Sequence, residues 1–298
     1  MGSFVLLDLA GGIALLLWGL HMVQSGILRA FGADLRRFLG VALKSRFTAI
    51  LAGLGITALL QSSTATGLMT AAFVGDGLVA LVPALAIMLG ANVGTTLIVQ
   101  VFSFDVAWLA PVLLVIGVIA FKRGTRTVIR DLGRVVIGLG LMLLSLHILL
   151  DTLAPAENAP AVRALLAAAT TMPVLNIIFG AALAWAAHSS VAVVLLVMSL
   201  SYSNFITPVA ALALVIGANL GSAINPLIEG GGLNNPVARR LPLGNLINRL
   251  VGCALVLLLL EPITVAMKTL DSNPVRMLAD FHTLFRLGRV VLFIGPRP

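Results

Sequence analysis

Gln61-Ser62-Ser63-Thr64 is a polar stretch inside a long apolar run, and the chain contains a near copy of it. The copy is His188-Ser189-Ser190-Val191, 127 residues further along. A second polar motif, Gly-Ala-Asn-x-Gly, follows each stretch at the same interval, at residues 90–94 and 217–221. The 35-residue segments that begin at Gln61 and His188 align without a gap and share 12 identities. Because the identities include polar residues, shared apolar composition does not explain them, and we interpret the chain as a duplicated unit.

The composition predicts an integral membrane protein. Of the 298 residues, 60% are hydrophobic and 10% are charged, and the mean hydropathy is +1.11. A soluble fold of this length cannot bury so much apolar side chain. Several apolar stretches reach the roughly 18 residues that a helix needs to cross a bilayer. We therefore expect an all-α polytopic membrane protein.

Several classes of function find no support in the sequence. There is no spaced His, Cys and carboxylate cluster, Walker loop or nucleophile elbow, so we predict neither an enzyme nor a transition-metal site. A single cysteine, Cys253, excludes an internal disulfide framework. The net charge of +8 collects in short blocks between apolar runs, with no aromatic platform for stacking bases. Orientation in a lipid bilayer explains this charge better than binding to nucleic acid.

The duplication predicts three parts. The first repeat covers residues 1–122, the second covers 123–264, and a short tail with room for one further helix covers 265–298. In the first repeat, residues 4–26 are expected to span the membrane. Residues 25–47 carry five basic side chains mixed with Leu and Phe, and we expect them to lie as an amphipathic helix in the interface.

Each repeat is predicted to contain a re-entrant helical hairpin, at residues 47–75 and 173–201. Both segments are apolar and are interrupted near the middle by the polar stretch, which leaves two arms. An arm of about a dozen residues is about 18 Å long as a helix, too short to span a bilayer. We therefore expect each segment to enter and leave on one side, with its polar tip at mid-membrane.

Each hairpin is followed by a crossing that we predict to be a broken transmembrane helix, over residues 78–103 and 205–228. The Gly-Ala-Asn-x-Gly motif is the expected break. Lipid cannot satisfy backbone groups that a tip or a break exposes, so both persist only where they line a cavity. Two tips and two breaks are expected to converge there.

The count of crossings predicts inverted repeats. If each hairpin returns to its own side, the first repeat holds an odd number of crossings, and the second must enter from the opposite face. Loops 25–47, 122–134 and 229–242 collect twelve Lys or Arg, whereas loops 103–106 and 152–172 collect only Arg163. We expect the basic side to be cytoplasmic in a multi-pass protein of the cell (inner) membrane.

The tips have the chemistry of an anion site. A helix that starts at a tip directs N–H groups and the positive end of its dipole inward, and hydroxyls add further donors. The predicted anion-binding residues are Gln61, Ser62, Ser63, Thr64, His188, Ser189 and Ser190.

The breaks have the chemistry of a cation site. Helices that end there offer carbonyl, amide and hydroxyl oxygens without fixed negative charge, which suits a monovalent cation. The predicted residues are Asn92, Gly94, Thr95, Thr96, Asn219, Gly221 and Ser222. Any one of these small polar residues is also typical of helix packing, but their duplication favours a site.

Two charged residues outside these sets have more than one interpretation. Arg249 lies inside a predicted crossing, where a charge is costly. It either snorkels to the interface or pairs with another group, or it lies on the path of an anion. Glu229 lies at a predicted loop end and is expected to be solvated.

The motifs resemble those of the bacterial sodium/phosphate cotransporter family, which is related to the type II sodium-dependent phosphate cotransporters of animals. The resemblance rests on the two Ser pairs and the two Gly-Ala-Asn-x-Gly segments. It extends to Gly244-Asn245-Leu246-Ile247-Asn248-Arg249 and Phe281-His282-Thr283-Leu284-Phe285. It implies that the tips bind inorganic phosphate and sodium, that sodium is the coupling ion, and that transport proceeds by alternating access.

The chain departs from the family pattern in three places. His188 stands where the family usually has Gln; because histidine changes charge near neutral pH, we expect transport to depend on pH. Arg286 stands where the family usually has Asn. Residues 287–298 do not resemble the further apolar segment and helical domain common in bacterial members, so a short tail is expected.

Three functions compete on this evidence. The first is sodium-coupled phosphate symport, the second is a membrane phosphate receptor or regulatory subunit that does not transport, and the third is an uncoupled anion channel. The sequence leaves open the direction of net flux, the choice among oxyanions and whether copies of the chain form a homo-oligomer.

Overall fold

The structure is a computed structural model that describes residues 2–41, 45–104, 108–153, 172–229 and 236–294. Over these residues the chain is helical. The helices are α1 Gly2–Val41, α2 Arg46–Leu60, α3 Ser63–Gly75, α4 Leu81–Phe102, α5 Leu109–Arg123, α6 Thr127–Leu153, α7 Pro173–Ala186, α8 Ser190–Tyr202, α9 Pro208–Gly221, α10 Ile224–Glu229, α11 Pro236–Leu258, α12 Leu260–Leu270 and α13 Pro274–Ile294. The external loop predicted over residues 152–172 lies almost wholly outside the described residues.

Within the described ranges, five helical segments are long and apolar enough to cross a membrane. They are Leu7–Arg37, Leu81–Phe102, Thr127–Thr152, Pro208–Glu229 and Pro236–Leu258. Large apolar side chains on the outer helices are exposed, such as Val115 on α5 and Phe179 on α7. Such surfaces are stable against lipid rather than water, which agrees with the predicted all-α polytopic membrane protein.

Both predicted tips separate two helices. The first lies between α2 and α3, and the second between α7 and α8. Gln61 and His188 have φ angles of 53° and 52°. This left-handed conformation ends the preceding helix and turns the chain toward the next one. The chain is therefore interrupted at both predicted tips, whereas the re-entrant hairpins and the membrane face from which each helix pair enters stay predictions.

The two halves also pack alike. A methyl group on Gly90 of α4 would lie closer than 3.0 Å to the backbone carbonyl of Ile50 on α2. A methyl group on Gly217 of α9 would meet Ile177 of α7 in the same way, and both residue pairs are related by the offset of 127. The α2–α4 and α7–α9 pairs are therefore equivalent close-packed helix pairs.

The broken helix predicted over residues 78–103 is wrong. α4 is continuous through the Gly-Ala-Asn-x-Gly motif from Leu81 to Phe102. Its glycines do not end the helix, because they serve instead as the surface that lets α2 approach its backbone. In the second repeat the crossing is interrupted, at Ser222 and Ala223 between α9 and α10, just after the motif.

Two further expectations differ from the structure. Residues 25–47 do not begin a separate interfacial helix, because α1 continues without interruption from Gly2 to Val41. The tail predicted over 265–298 contains most of α12 and all of α13, and α13 buries one side of its helix in the protein. The tail is therefore part of the helical core rather than an appendage.

Candidate substrate site

The two tips present the same local structure. Ser62 caps α3 by accepting a hydrogen bond from the Ala65 N–H at 3.1 Å, and Ser189 caps α8 by accepting one from the Ala192 N–H at 3.1 Å. Serine is favoured at such a position because its hydroxyl satisfies a backbone donor that the helix itself leaves free. Each cap leaves the next serine as the first residue of its helix.

The two tips meet at one cavity. Its lining comprises Gln61, Ser62, Ser63, Thr64, Thr95, His188, Ser189, Ser190, Val191 and Ser222. All seven predicted anion-binding residues are therefore brought together, although they come from opposite halves of the chain. Two residues predicted for the cation, Thr95 and Ser222, line the same cavity.

The remaining residues predicted for the cation do not line this cavity. The Asn92 side chain is buried and donates to Asn245 Oδ1 at 3.1 Å. The Thr96 hydroxyl donates back to the Val93 carbonyl at 2.8 Å within its own helix. Gly94 and Gly221 lie at close helix contacts, and the buried Asn219 amide has no hydrogen-bond partner among the described residues.

Arg249 of α11 reaches the centre of the site. Its side chain is 1% exposed, so the alternative in which it snorkels to the interface is wrong. Nη1 donates to Ser222 Oγ at 2.7 Å and to the Asn219 carbonyl oxygen. Nη2 donates to Asn92 Oδ1 and to Ser63 Oγ, the latter at 3.4 Å. The guanidinium of Arg249 thus hydrogen-bonds both to the first tip and to the helix interruption at Ser222, which follows the second tip.

Arg286 of α13 occupies a comparable place beside the second tip. It is fully buried, and Nη2 donates to Ser190 Oγ at 3.4 Å. Nη1 donates to the Asn92 carbonyl oxygen at 2.7 Å, and Nε donates to His282 Nε2 at 3.1 Å. Ser63 and Ser190, equivalent in the two repeats, therefore each contact one buried arginine.

The buried charge at this centre is positive. A third arginine, Arg289, is 2% exposed, and none of its guanidinium nitrogens has a hydrogen-bond partner among the described residues. No buried side chain in the described part of the chain is an Asp or Glu. Burying cations without a counter-charge is costly, so this arrangement favours binding of an anion.

His188 at the second tip makes an ion pair that the sequence did not predict. Its Nε2 lies 2.7 Å from Glu229 Oε1 at the end of α10. The two side chains are 59% and 37% exposed, so the pair lies at the edge of the site. Glu229 is exposed, as expected, but it also pairs with His188, because the interruption of the helix at Ser222 lets α10 run toward the tip.

Three residues of the predicted cation set are engaged by Arg249 in this arrangement. The Asn92 amide oxygen, the Asn219 carbonyl oxygen and the Ser222 hydroxyl all accept hydrogen bonds from Arg249. A sodium ion needs such oxygens as ligands, and here a positively charged donor already engages them.

Neither arginine is among the predicted site residues, although a place on the path of an anion is one interpretation of Arg249 from the sequence. The available signal was the cost of a charge inside an apolar crossing, which Arg249 carries. No crossing was predicted around Arg286, so the sequence carried no such signal there. Its position depends on how α13 packs against α4 and α8.

The chain is similar to known proteins over nearly its whole length. Residues 15–151 and 155–281 match the family described as Na+/Pi-cotransporter. The chain is 40% identical over 289 residues to the "Putative inorganic phosphate export protein YjbB" of Salmonella typhimurium (strain LT2) and equally to that of Escherichia coli (strain K12). Each alignment covers 97% of this chain and 53% of the relative, so the chain spans about half the length of these proteins.

A more distant relative matches over nearly its whole length. It is the "Uncharacterized protein YqeW" of Bacillus subtilis (strain 168), with 24% identity over 292 residues, 97% of this chain and 94% of the relative. No solved structure matches the chain. Because the family match extends through both repeats, the chain belongs to the Na+/Pi-cotransporter family.

Proposed function

We propose that this protein moves inorganic phosphate across the membrane, with the anion held between the two serine tips. The observation that carries the proposal is the pair of fully buried arginines that contact Ser63 and Ser190, with no buried carboxylate among the residues that the structure describes. The family description and the names of two relatives supply phosphate as the anion.

The groups around the cavity suit phosphate. The first turns of α3 and α8 offer backbone N–H groups, which favour an anion at a helix N-terminus. The hydroxyls of Ser63 and Ser190 add donors, and planar guanidinium groups bind phosphate oxygens in pairs. The contacts from Arg249 and Arg286 to these serines are long, at 3.4 Å, so an incoming oxygen can replace them at small cost.

Alternating access follows from the duplication. The tips have the same caps and the same backbone conformation, and each repeat supplies one wall of the cavity. On the proposed inverted topology, movement of one hairpin opens the site to the cytoplasm and movement of the other opens it to the outside. The names of the two relatives favour export as the net direction in the cell.

The test is flux of radiolabelled inorganic phosphate in liposomes that contain the purified full chain. A carrier gives saturable flux that unlabelled phosphate on the opposite side accelerates. Flux that does not saturate and shows no such acceleration would indicate the anion channel, and binding without flux would indicate the receptor. The first result would overturn transport by a carrier, and the second would overturn phosphate transport altogether.

A second, finer candidate is symport of phosphate with sodium. The description of the family favours it. It predicts that an inward sodium gradient accumulates phosphate in the same liposomes, and that phosphate in turn stimulates sodium uptake.

A further inference from the structure

We propose that the guanidinium of Arg249 takes the place of a coupling cation, so that phosphate transport by this chain does not depend on sodium. The inference rests on the proposed transport function and concerns what drives it. A cation that is part of the protein neutralises phosphate in the site but is not carried across the membrane with it.

The first step is the identity of the oxygens that Arg249 engages. They are an amide oxygen, a backbone carbonyl oxygen and a hydroxyl, from Asn92, Asn219 and Ser222. The sequence predicts these three residues as cation ligands because they offer oxygen without negative charge. The structure therefore places a permanent cation on the acceptors that sodium would need.

The second step is electrostatic. A sodium ion bound to any of these oxygens would lie a few ångströms from the guanidinium, in a buried site to which the described part of the chain contributes no carboxylate. Repulsion between like charges about 5 Å apart inside a protein weakens binding on the order of 100-fold or more. Arg286 lies at the same centre, where it donates to the Asn92 carbonyl at 2.7 Å, and it adds to the repulsion.

The third step is what a tethered cation means for transport. Sodium symport works because the ion arrives and leaves with the substrate, which links the two gradients. Arg249 lies in the middle of α11 and is fully buried by its contacts, so its charge stays with the protein when phosphate leaves. The gradient of phosphate and the membrane potential then set the direction of flux.

The experiment compares phosphate flux by the wild-type chain in liposomes with sodium or with choline as the only other monovalent cation. We expect equal rates within about 2-fold, and no uptake of radiolabelled sodium in response to a phosphate gradient. Greater stimulation by sodium, or sodium uptake driven by phosphate, would overturn the inference and leave phosphate transport intact. Absence of phosphate flux in both media would instead contradict the proposed function.

A charge-removing variant sharpens the test. Arg249→Gln frees the three oxygens, and its phosphate flux in choline is expected to fall at least about 10-fold. Arg240→Gln, at an exposed position on the same helix, removes the same charge outside the site and should transport as the wild type does. If Arg249→Gln transports normally in choline, the guanidinium is not the required cation and the inference is wrong. If that variant fails to fold, the wild-type comparison alone decides.

Discussion

Ser63 and Ser190 are equivalent residues in the two repeats, yet they contact different arginines on different helices. The contact from Arg249 to Ser63 Oγ and the one from Arg286 to Ser190 Oγ both measure 3.4 Å. Neither arginine has an equivalent at the offset that relates the serines, since the positions 127 residues earlier are Lys122 and Ala159. Two unrelated parts of the chain thus supply the same group to both tips, which indicates a requirement of the site rather than a result of duplication.

Removing either serine hydroxyl should weaken phosphate binding. A hydrogen bond to a charged group contributes about 1.5–3 kcal/mol, so Ser63→Ala and Ser190→Ala should raise the half-saturating phosphate concentration about 10-fold to 150-fold. The measurement is the concentration dependence of phosphate flux. Ser145→Ala is the control, because Ser145 is also buried but donates to the Met142 carbonyl within α6. Unchanged half-saturation in both tip variants would mean that the serines only cap and pack.

The ion pair between His188 and Glu229 makes a prediction about pH. The ring is charged only while it is protonated, and this charge beside the cavity favours an anion. Transport should therefore rise as the pH falls and the ring becomes protonated. Phosphate also changes its own charge with pH in every variant, so the ratio of wild-type to His188→Gln flux isolates the contribution of the ring. Superposed pH profiles would show that His188 is not a proton-sensitive part of the site.

The element that holds each tip in place is a close-packed helix pair. α2 leads into the first tip and packs on α4, and α7 leads into the second tip and packs on α9. The backbones approach so closely that a Cβ at the contact would overlap a carbonyl group. Because van der Waals contact is the main force between helices in lipid, these glycines determine how rigidly a tip is held.

Adding one methyl group at these contacts should destabilise the protein. Gly90→Ala and Gly217→Ala force the helices apart and should cost roughly 1–3 kcal/mol of unfolding free energy each. The measurement is thermal unfolding in detergent. Gly55→Ala on α2 is the matched control, since a methyl group there has no neighbour within 4 Å and should leave stability equal or slightly higher. Equal melting temperatures for all three variants would contradict the role assigned to the glycines.

The whole molecule combines the two predicted repeats with α13, which lies in the segment predicted as a short tail. α13 begins at Pro274, beyond the predicted second repeat, and it places Arg286 against Ser190 and the Asn92 carbonyl. The site is therefore completed by the last described helix. The relative orientation of the two predicted repeats in the membrane decides to which side such a site opens.

Cysteine labelling tests the inverted topology. In a Cys253→Ala background, cysteines at Asp76 and Thr125 should react with an impermeant thiol reagent from the cytoplasmic side. A cysteine at Tyr202, just after the equivalent hairpin of the second repeat, should react from outside. All three positions are exposed in the structure. Labelling of Asp76→Cys and Tyr202→Cys from the same side would contradict the inverted repeats.

Much of this molecule follows from the sequence by itself. Apolar composition determines a helical membrane protein, because only structures that satisfy their own backbone hydrogen bonds are stable in lipid. The repeated Ser pairs predict both helix starts, because the cap is a local interaction between a side chain and the next turn of backbone. The convergence of the two tips also follows, since duplicated polar groups within apolar runs need a shared cavity.

Only the tertiary structure decided the rest, because it depends on contacts between distant parts of the chain. The same Gly-Ala-Asn-x-Gly motif is continuous helix in α4 but lies at the end of α9, so the local sequence does not determine a break. Arg249 and Arg286 reach oxygens from residues 27 to 194 positions away along the chain, and no spacing rule predicts such pairs. Helix packing brings those two charges to the serines of the tips.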